Sequence, residues 1–476
     1  MIPKKNIKVA AIWSGIEALS SVALSLISIV YLARILEPTD FGNIAMAQII
    51  AALLGLFFSF GFTEAIIQRK ILTSEIKETA FSASILFSLG AIFISFFVWL
   101  VLRFYLKNIL VSNIFIFEVL GVVFNILSIL PTAILLRELK MSSFTKRTLI
   151  SRLMFFVVSI PLASEGFGVW SVVYGNFSQS IVSMILLFIA TKNEFPKKLG
   201  FDSSLFKQLF KFGFYVMAEN ILWNVLNRVF SLLIAAFHGT YALGLYNIAT
   251  RITDAVLNVL NTVVSRMALP LFSQVQDDIS QLKDIFSKST RVFNTISMPA
   301  FVGMAITCNV WVPIILGENW IDAIPIIQAI AIMYAIMYSR IFVGTAMKAV
   351  GQSKRFMILS AISAVLSVIT VYLTRNMSLI DTMISWAAIR ITITIPIGVY
   401  LMTNIIGLSC WNQFRPVTKP VLASGFMAIV LLYMHFYCNI NVGVYFNLII
   451  NVLVGAISYS ASYYFIDITN KKLKVN

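Results

Sequence analysis

The chain has 476 residues, of which 59% are hydrophobic and only 12% are charged, and its mean hydropathy is +0.91. A soluble protein of this length would carry about twice that charged fraction, so the composition excludes an ordinary soluble fold. Apolar runs of about 20 residues recur along the whole chain, which is the length that crosses a bilayer as an α-helix. A membrane β-barrel is excluded, because its segments would be about ten residues long and alternating. We therefore predict an all-α polytopic membrane protein.

The formal net charge of +16 would suggest a nucleic-acid partner in a soluble protein. Here the basic residues concentrate in loops on one side of the predicted membrane, as the positive-inside rule expects of cytoplasmic loops. The loops on the other side contain only four basic residues: Arg34, Arg103, Lys107 and Arg375. This asymmetry accounts for most of the charge without nucleic acid, and it predicts that both termini are cytoplasmic.

Hydropathy predicts about fourteen transmembrane helices. The predicted segments are 11–33, 43–66, 79–102, 109–136, 148–164, 168–190, 209–236, 243–271, 292–316, 324–347, 356–374, 380–405, 417–436 and 443–466. Loops on the outer side are short, so no exported domain is expected.

The first half of the chain is repeated in the second. The stretch LARILEPTDFGNIAMAQ (32–48) joins helices 1 and 2, and IAAFHGTYALGLYNIATRI (234–252) joins helices 7 and 8, with Gly42 aligned to Gly244. A repeat spanning six helices gives two copies in the same orientation, related by an axis along the membrane normal. We predict an N-lobe at 1–190, a cytoplasmic link at 191–208, a C-lobe at 209–405 and a C-terminal helix pair with its tail at 406–476.

Four acidic residues are expected to be buried within predicted helices: Glu17 on helix 1, Glu118 on helix 4, Glu219 on helix 7 and Asp254 on helix 8. Glu17, Glu219 and Asp254 are our candidates for coupling transport to H⁺ or Na⁺, and Glu118 is a weaker one because it is expected near the membrane interface. A carboxylate at membrane depth is costly and usually marks an ion pathway.

Helices 7 and 8 each carry a stripe of polar residues. Two further arginines lie on predicted helices 10 and 12. Asn247, Arg251, Asp254 and Asn258 recur at steps of four and three, which places them on one helix face. The candidate substrate-binding residues are Asn224, Arg228, Asn247, Arg251, Asn258, Arg340 and Arg390. Arginine suits diphosphate and carboxylate through its planar fork of donors. Internal salt bridges, such as Arg251 with Asp254 and Arg228 with Glu219, are the alternative.

No motif indicates catalysis or a cofactor. The chain lacks a GxxxxGK[ST] loop, HExxH and GxSxG, and its three cysteines fit neither a zinc site nor a disulfide framework. We expect no catalytic residue, no metal site and no cofactor.

Five stretches resemble the polysaccharide transporter family, which contains the Wzx-type lipid-linked oligosaccharide flippases of the multidrug/oligosaccharidyl-lipid/polysaccharide superfamily. They are LARILEPTDFGNIAMA (32–47), GFTEAIIQRK (61–70), GFGVWSVVYGN (166–176), LGLYNIATRI (243–252) and ILGENW (315–320). The pattern is most similar to the colanic-acid and teichuronic-acid exporter-like branch. Arg251, within YNIATRI, stands where such proteins commonly have an arginine.

The resemblance implies a bacterial inner-membrane flippase that moves undecaprenyl-diphosphate-linked sugar units from the cytoplasmic to the periplasmic leaflet. It also implies membrane lipids, the polysaccharide polymerase and the chain-length machinery as partners. Two alternatives stay open: a drug/cation antiporter of the same superfamily, and a membrane-embedded glycan polymerase. Several arginines in the C-lobe fit an antiporter of cations poorly, and short outer loops fit a polymerase poorly.

Overall fold

In the described part of a computed structural model, every regular secondary-structure element is a helix, and turns and irregular segments connect the helices. The described residues are 4–475 apart from 60, 70, 197, 276–277 and 438–442, with the side chains of 4–11, 215–224, 227, 262–271, 273–274 and 470–475 also outside the description. Within these limits 13 helical stretches are long and apolar enough to cross a membrane. One of these stretches, Arg228–Asn261, covers parts of the two predicted segments 209–236 and 243–271. Gly239, with a φ of 85°, interrupts the helix between them. Counted as two segments, this stretch brings the number to the predicted value of about fourteen. The predicted all-α polytopic class is confirmed.

The chain forms two compact units, Met1–Gly244 (unit 1) and Leu245–Asn476 (unit 2). The predicted lobe boundary at 191–208 stays a prediction. The helices of unit 1 are α1 (Lys4–Ala33), α2 (Pro38–Ser59), α3 (Phe62–Gln68), α4 (Ser74–Leu100, followed by a π-helical turn at Val101–Tyr105), α5 (Ile109–Leu127), α6 (Ile129–Arg137), α7 (Met141–Ser164), α8 (Val169–Ala190) and the first part of α9 (Ser203–Gln274).

Unit 2 begins inside α9. Its further helices are α10 (Ile279–Ile315), a 3₁₀ turn at Glu318–Ala323, α11 (Ile324–Tyr338), α12 (Phe342–Ala349), α13 (Ser353–Leu373), α14 (Leu379–Ile389, followed by a π-helical turn at Arg390–Thr394), α15 (Ile395–Ile406), α16 (Cys410–Tyr437) and α17 (Val444–Val475). The long α10 packs against α11, α16 and α17 and forms the centre of this unit.

Side chains locate several helix starts. Asn108 caps α5 by accepting a hydrogen bond from the Val111 amide, and Thr73 caps α4 in the same way. Such caps supply acceptors for amides that have no partner within the helix. In unit 1, α7 packs between α1 and α8, and α5 packs against α2, α4 and α8. Four charged residues discussed below lie on these helices: Glu17 on α1, Glu118 on α5, and Arg147 and Arg152 on α7.

The segment 191–202, between α8 and α9, is attached to unit 1. Lys77 Nζ donates to the Glu194 carbonyl at 2.9 Å, and Ser82 Oγ donates to the Gly200 carbonyl at 2.9 Å. Lys140 Nζ also lies 2.5 Å from Glu194 and 2.7 Å from Glu138. These contacts fix most of the predicted inter-lobe link.

The charges around Lys140 favour their ionised forms. Hydrogen bonds to Glu138 and Glu194 raise the pKa of Lys140 above its ordinary value. Burial alone would raise the pKa of Glu138, but the hydrogen bond and the charge of Lys140 lower it. The contribution of Glu138 to the free energy of unfolding is lost as the pH falls through this lowered pKa. The contribution of Lys140 is lost as the pH rises through its raised pKa. The cluster is therefore intact at neutral pH.

The two copies of the sequence repeat meet through their matched glycines. A Cβ built on Gly42 would lie 1.8 Å from the Thr240 carbonyl oxygen, and one built on Gly244 would lie 1.8 Å from the Pro38 carbonyl oxygen. The contact is reciprocal, because Pro38 and Thr240 have the same sequence separation, 202 residues, as the two glycines. Small residues permit such close helix approach within a membrane.

We predict that Gly244→Ala lowers the thermal stability of the purified protein by several degrees. The added methyl group would overlap the Pro38 carbonyl, and overpacking of this kind costs about 1–3 kcal/mol. Gly425→Ala in α16 is the matched control, because its Cβ would meet no atom within 4 Å. A Gly244→Ala midpoint equal to that of Gly425→Ala would contradict the close contact.

We also predict that Lys140→Ala exposes the 191–202 segment to trypsin at neutral pH. A partly exposed ion pair contributes about 0.2–1 kcal/mol, so cleavage after Lys192 or Lys198 should be about two- to fivefold faster. Lys288→Ala serves as control, since Lys288 pairs with Asp284 on the exposed surface of α10. Equal cleavage rates in wild type and Lys140→Ala would show that the ion pairs do not hold the segment.

Candidate functional site

A group of charged and hydroxyl side chains joins α1, α7 and α8 in unit 1. We call it the arginine cluster: Glu17, Arg147, Thr148, Arg152 and Ser183. Glu17 Oε1 lies 3.1 Å from the Thr148 hydroxyl, and Arg147 donates to the hydroxyls of Thr148 and Ser183 at 3.1 Å each. Arg152 donates to the Ser21 carbonyl at 3.1 Å. Glu17 thus lies beside two arginines that sequence reasoning assigned to a loop.

Arg147 lies one residue outside the predicted segment 148–164 and Arg152 lies inside it, but both were counted only as basic residues of the cytoplasmic side and were therefore missed as site residues. The hydropathy segment began at residue 148, whereas the helix begins at Met141. Both arginines are therefore helical and half-buried. The spacing of these arginines to Thr148 and Ser151 is the sequence feature that indicates a polar helix. It was overlooked because the arginines were used only to predict the topology.

A second carboxylate, Glu118, lies at the middle of α5. Its Oε1 accepts from Gln48 Nε2 on α2 at 3.2 Å and from Asn176 Nδ2 on α8 at 3.3 Å. We call these three residues the Glu118 triad. Two neutral amides from separate helices thus solvate a carboxylate at membrane depth, in place of the water it would have outside.

Asp254, on the part of α9 within unit 2, has a tyrosine partner. Tyr334 on α11 donates its hydroxyl to Asp254 Oδ1 at 2.7 Å, and the Tyr334 ring packs against Tyr338 with centroids 4.9 Å apart. Among the ion pairs of the described residues, none joins Asp254 to Arg251. The anticipated pair of these two residues is therefore not formed in this structure.

Arg390 begins the π-helical turn after α14. Its Nε donates to Ser363 Oγ at 3.2 Å, and its guanidinium lies 5.3 Å from the ring centroid of Trp386. Trp386 in turn donates to Ser367 at 2.9 Å, so two contacts between α13 and α14 orient the arginine. No hydrogen bond within the described part of the chain engages the two terminal nitrogens of Arg390. These donors are available to a ligand.

Arg340 differs from Arg390, because the protein supplies acceptors to both of its terminal nitrogens; within the described residues only its buried Nε lacks a partner. It is 7% exposed, donates to the Ile395 carbonyl at 2.9 Å and donates to Gln413 Oε1. Its guanidinium also lies 5.3 Å from the ring centroid of Phe414. These contacts connect the break between α11 and α12 to α15 and α16, which is a structural role.

The other predicted candidates occupy different environments. Arg228 is half-buried on α9 in unit 1, and no described group is a hydrogen-bond partner of its buried Nε. Asn247 Oδ1 in unit 2 is likewise buried without a partner. Arg251 and Asn258 are exposed. The side chains of two candidates lie outside the described residues: Glu219 and Asn224.

Unit 2 also contains an apolar groove of about 680 Å³ between α10, α16 and α17. Its lining is mostly aliphatic, including Ile296, Met304, Leu431 and Val452, with Asn451 among the few polar side chains. The volume is within the range of small-molecule sites.

Residues 31–325, more than half of the chain, match a family model described as "Polysaccharide biosynthesis protein". The lipopolysaccharide biosynthesis protein WzxC of Escherichia coli (strain K12) is 24% identical over 67% of this chain, and the match covers 65% of WzxC, just under two thirds of its length. The teichuronic acid biosynthesis protein TuaB of Bacillus subtilis (strain 168) is 22% identical over 90% of this chain and 88% of its own length.

Among solved structures, the lipid II flippase MurJ in its inward closed conformation has a similar fold. The TM-score is 0.76 at 14% identity, covering 96% of this chain and 99% of MurJ. At that identity the likeness establishes the fold. Together these matches confirm the resemblance found in the sequence.

We predict that Arg340→Met destabilises the protein, whereas Arg375→Met, in an exposed loop, does not. Loss of the charged donor leaves Gln413 Oε1 without its partner, which costs about 1–3 kcal/mol. Thermal unfolding of both purified variants measures the difference. A stable Arg340→Met protein that has lost transport would instead assign Arg340 to the substrate.

Proposed function

The chain belongs to the polysaccharide biosynthesis protein family, and we propose that it translocates an undecaprenyl-diphosphate-linked oligosaccharide across the bacterial inner membrane by alternating access. The names of WzxC and TuaB support a role in surface polysaccharide biosynthesis. The name of MurJ supports a lipid-linked glycan as the cargo of this fold.

The terminal donors of Arg390 carry this proposal. A guanidinium in a spanning helix is stable there only if acceptors replace its water, and the described protein groups supply an acceptor to Nε alone. A diphosphate brings two negative charges and oxygens that match the planar fork of arginine. Arg228, which has a buried Nε without a partner, is a further ligand candidate in unit 1.

The apolar groove supports a lipid-linked substrate. An amphiphile needs an apolar surface for its chain as well as cations for its head group, and unit 2 contains both. The prenyl chain is the occupant that we propose for this groove. A fully water-soluble substrate has no apolar chain that could bind to the aliphatic lining of this groove.

The finer assignments belong to the same proposal. Both termini face the cytoplasm, H⁺ or Na⁺ binding at Asp254 or Glu17 couples to transport, and the polymerase receives the product. The position of Asp254 on a spanning helix, with Tyr334 as its hydrogen-bond partner, supports it as a candidate for ion binding. Competition between ligand and Asp254 for Arg251 has no support in the described contacts of Asp254.

We predict that Arg390→Ala and Arg228→Ala each reduce export in a deletion strain. Loss of hydrogen bonds to a charged ligand costs about 1.5–3 kcal/mol, which is about tenfold or more in affinity. Arg390→Lys should restore export only in part, because lysine lacks the planar fork. Surface polysaccharide is measured at equal protein level in the membrane, with Arg375→Ala as control.

The orientation of the accumulated intermediate separates this proposal from a polymerase. Lipid-linked units that face the cytoplasm in the deletion strain indicate a flippase, and units that face the periplasm indicate a polymerase. Full complementation by both Arg390→Ala and Arg228→Ala would remove these arginines from the substrate site.

A further inference from the structure

The arginine cluster of unit 1 has an unbalanced charge. Its two guanidinium groups face a single carboxylate, Glu17, and within the described residues neither arginine forms an ion pair with it. The Thr148 hydroxyl lies between Arg147 and Glu17, at 3.1 Å from each. The cluster therefore retains an excess positive charge that only neutral protein groups contact.

The cluster lies within the length of a spanning helix. Arg147 and Arg152 follow the start of α7 by 6 and 11 residues, which places them about 9 Å and about 16 Å along the helix axis. Arg152 is thus near the midpoint of a 24-residue helix. A charge at this depth usually faces a wet pathway or a ligand.

Several donors of the cluster have no acceptor. Among the described residues Arg147 Nε is buried without a hydrogen-bond partner, as Arg340 Nε also is, but the terminal nitrogens of Arg147 donate to hydroxyl oxygens rather than to carbonyl or amide oxygens. Arg152 uses only Nη1, toward the Ser21 carbonyl, and no described group accepts from its Nε or Nη2. Free guanidinium donors beside a net positive charge are suited to an oxyanion.

We propose that the arginine cluster binds the phosphate group of a lipid, with Arg147 and Arg152 as ligands and Glu17 as the group that weakens binding. All members of the cluster belong to unit 1, whereas Arg390 belongs to unit 2. The choice of ligand deepens the proposed function and rests on it. A prenyl diphosphate and an anionic phospholipid share the required chemistry, so the test includes both.

The test is binding to the purified full-length protein in zwitterionic detergent, measured by native mass spectrometry with farnesyl diphosphate or phosphatidylglycerol as probe. Arg152→Ala should weaken binding of at least one probe about tenfold, as expected for lost hydrogen bonds to a charged ligand. Arg152→Lys should recover only part of that loss, because lysine cannot donate in a fork. Arg375→Ala should bind as the wild type does.

Glu17→Gln should change the affinity for the probe in the opposite direction. This test does not require that the protein still folds after an arginine is replaced. Removal of the carboxylate should tighten binding severalfold, whereas Glu318→Gln, which removes an exposed carboxylate, should not. Loss confined to farnesyl diphosphate identifies the transport substrate, and loss confined to phosphatidylglycerol identifies a structural lipid; either outcome supports the site.

The site and the proposed function can fail separately. Unchanged binding of both probes in Arg152→Ala, together with no tightening in Glu17→Gln, overturns the lipid-phosphate site and leaves the export phenotype of Arg390→Ala untouched. Conversely, a binding defect in Arg152→Ala alongside full export by Arg390→Ala would preserve the site and contradict the proposed role of Arg390.

Discussion

A guanidinium in a spanning helix must find hydrogen-bond acceptors without bulk water, and this constraint sorts the arginines of this protein. Arg340 takes its acceptors from Ile395 and Gln413, so its charge stabilises the packing of unit 2. Arg390 has one side-chain acceptor and Arg152 one carbonyl, and both keep unused donors. We therefore assign a structural role to Arg340 and propose ligand binding for Arg390 and Arg152, on the basis of the acceptors that lie around each of them.

The buried acids follow a complementary pattern. Glu17 contacts a threonine hydroxyl, Glu118 accepts from two amides and Asp254 accepts from a tyrosine. All three acids are half-buried, and among the described residues no ion pair joins an arginine to Glu17 or Asp254. Internal salt bridges, the alternative reading of the sequence, would have cancelled both kinds of charge. Because Asp254 and Arg251 are not joined in this way, the roles that we propose for the arginines, binding an anionic cargo, and for the acids, binding a proton or cation, stay compatible with the described contacts.

The sequence was sufficient for the fold class, the helix positions and the repeat, because each depends on local signals. Runs of apolar residues locate the spans, and Gly42 and Gly244 mark the repeated contact that the structure then brings together. Side-chain partners depend on packing, and these could not be predicted. Arg251 lies three residues from Asp254 in sequence, yet the partner of Asp254 is Tyr334 on another helix. Arg147 and Arg152 were not recognised as site residues, because the basic first half of α7 has the same composition as a cytoplasmic loop.

Two interruptions in the helices of unit 2 differ in a way that bears on movement. The break at Ser339 is held by Asn294, a fully buried residue whose amide donates to the Ser339 carbonyl at 2.9 Å. The turn at Arg390 leads into Pro396, which lacks the N–H that would continue the helical ladder. Single π-helical turns within α-helices occur often at functional sites. The ligand-accessible Arg390 thus lies where the helix can adjust, and the structural Arg340 lies beside a break that the protein has locked.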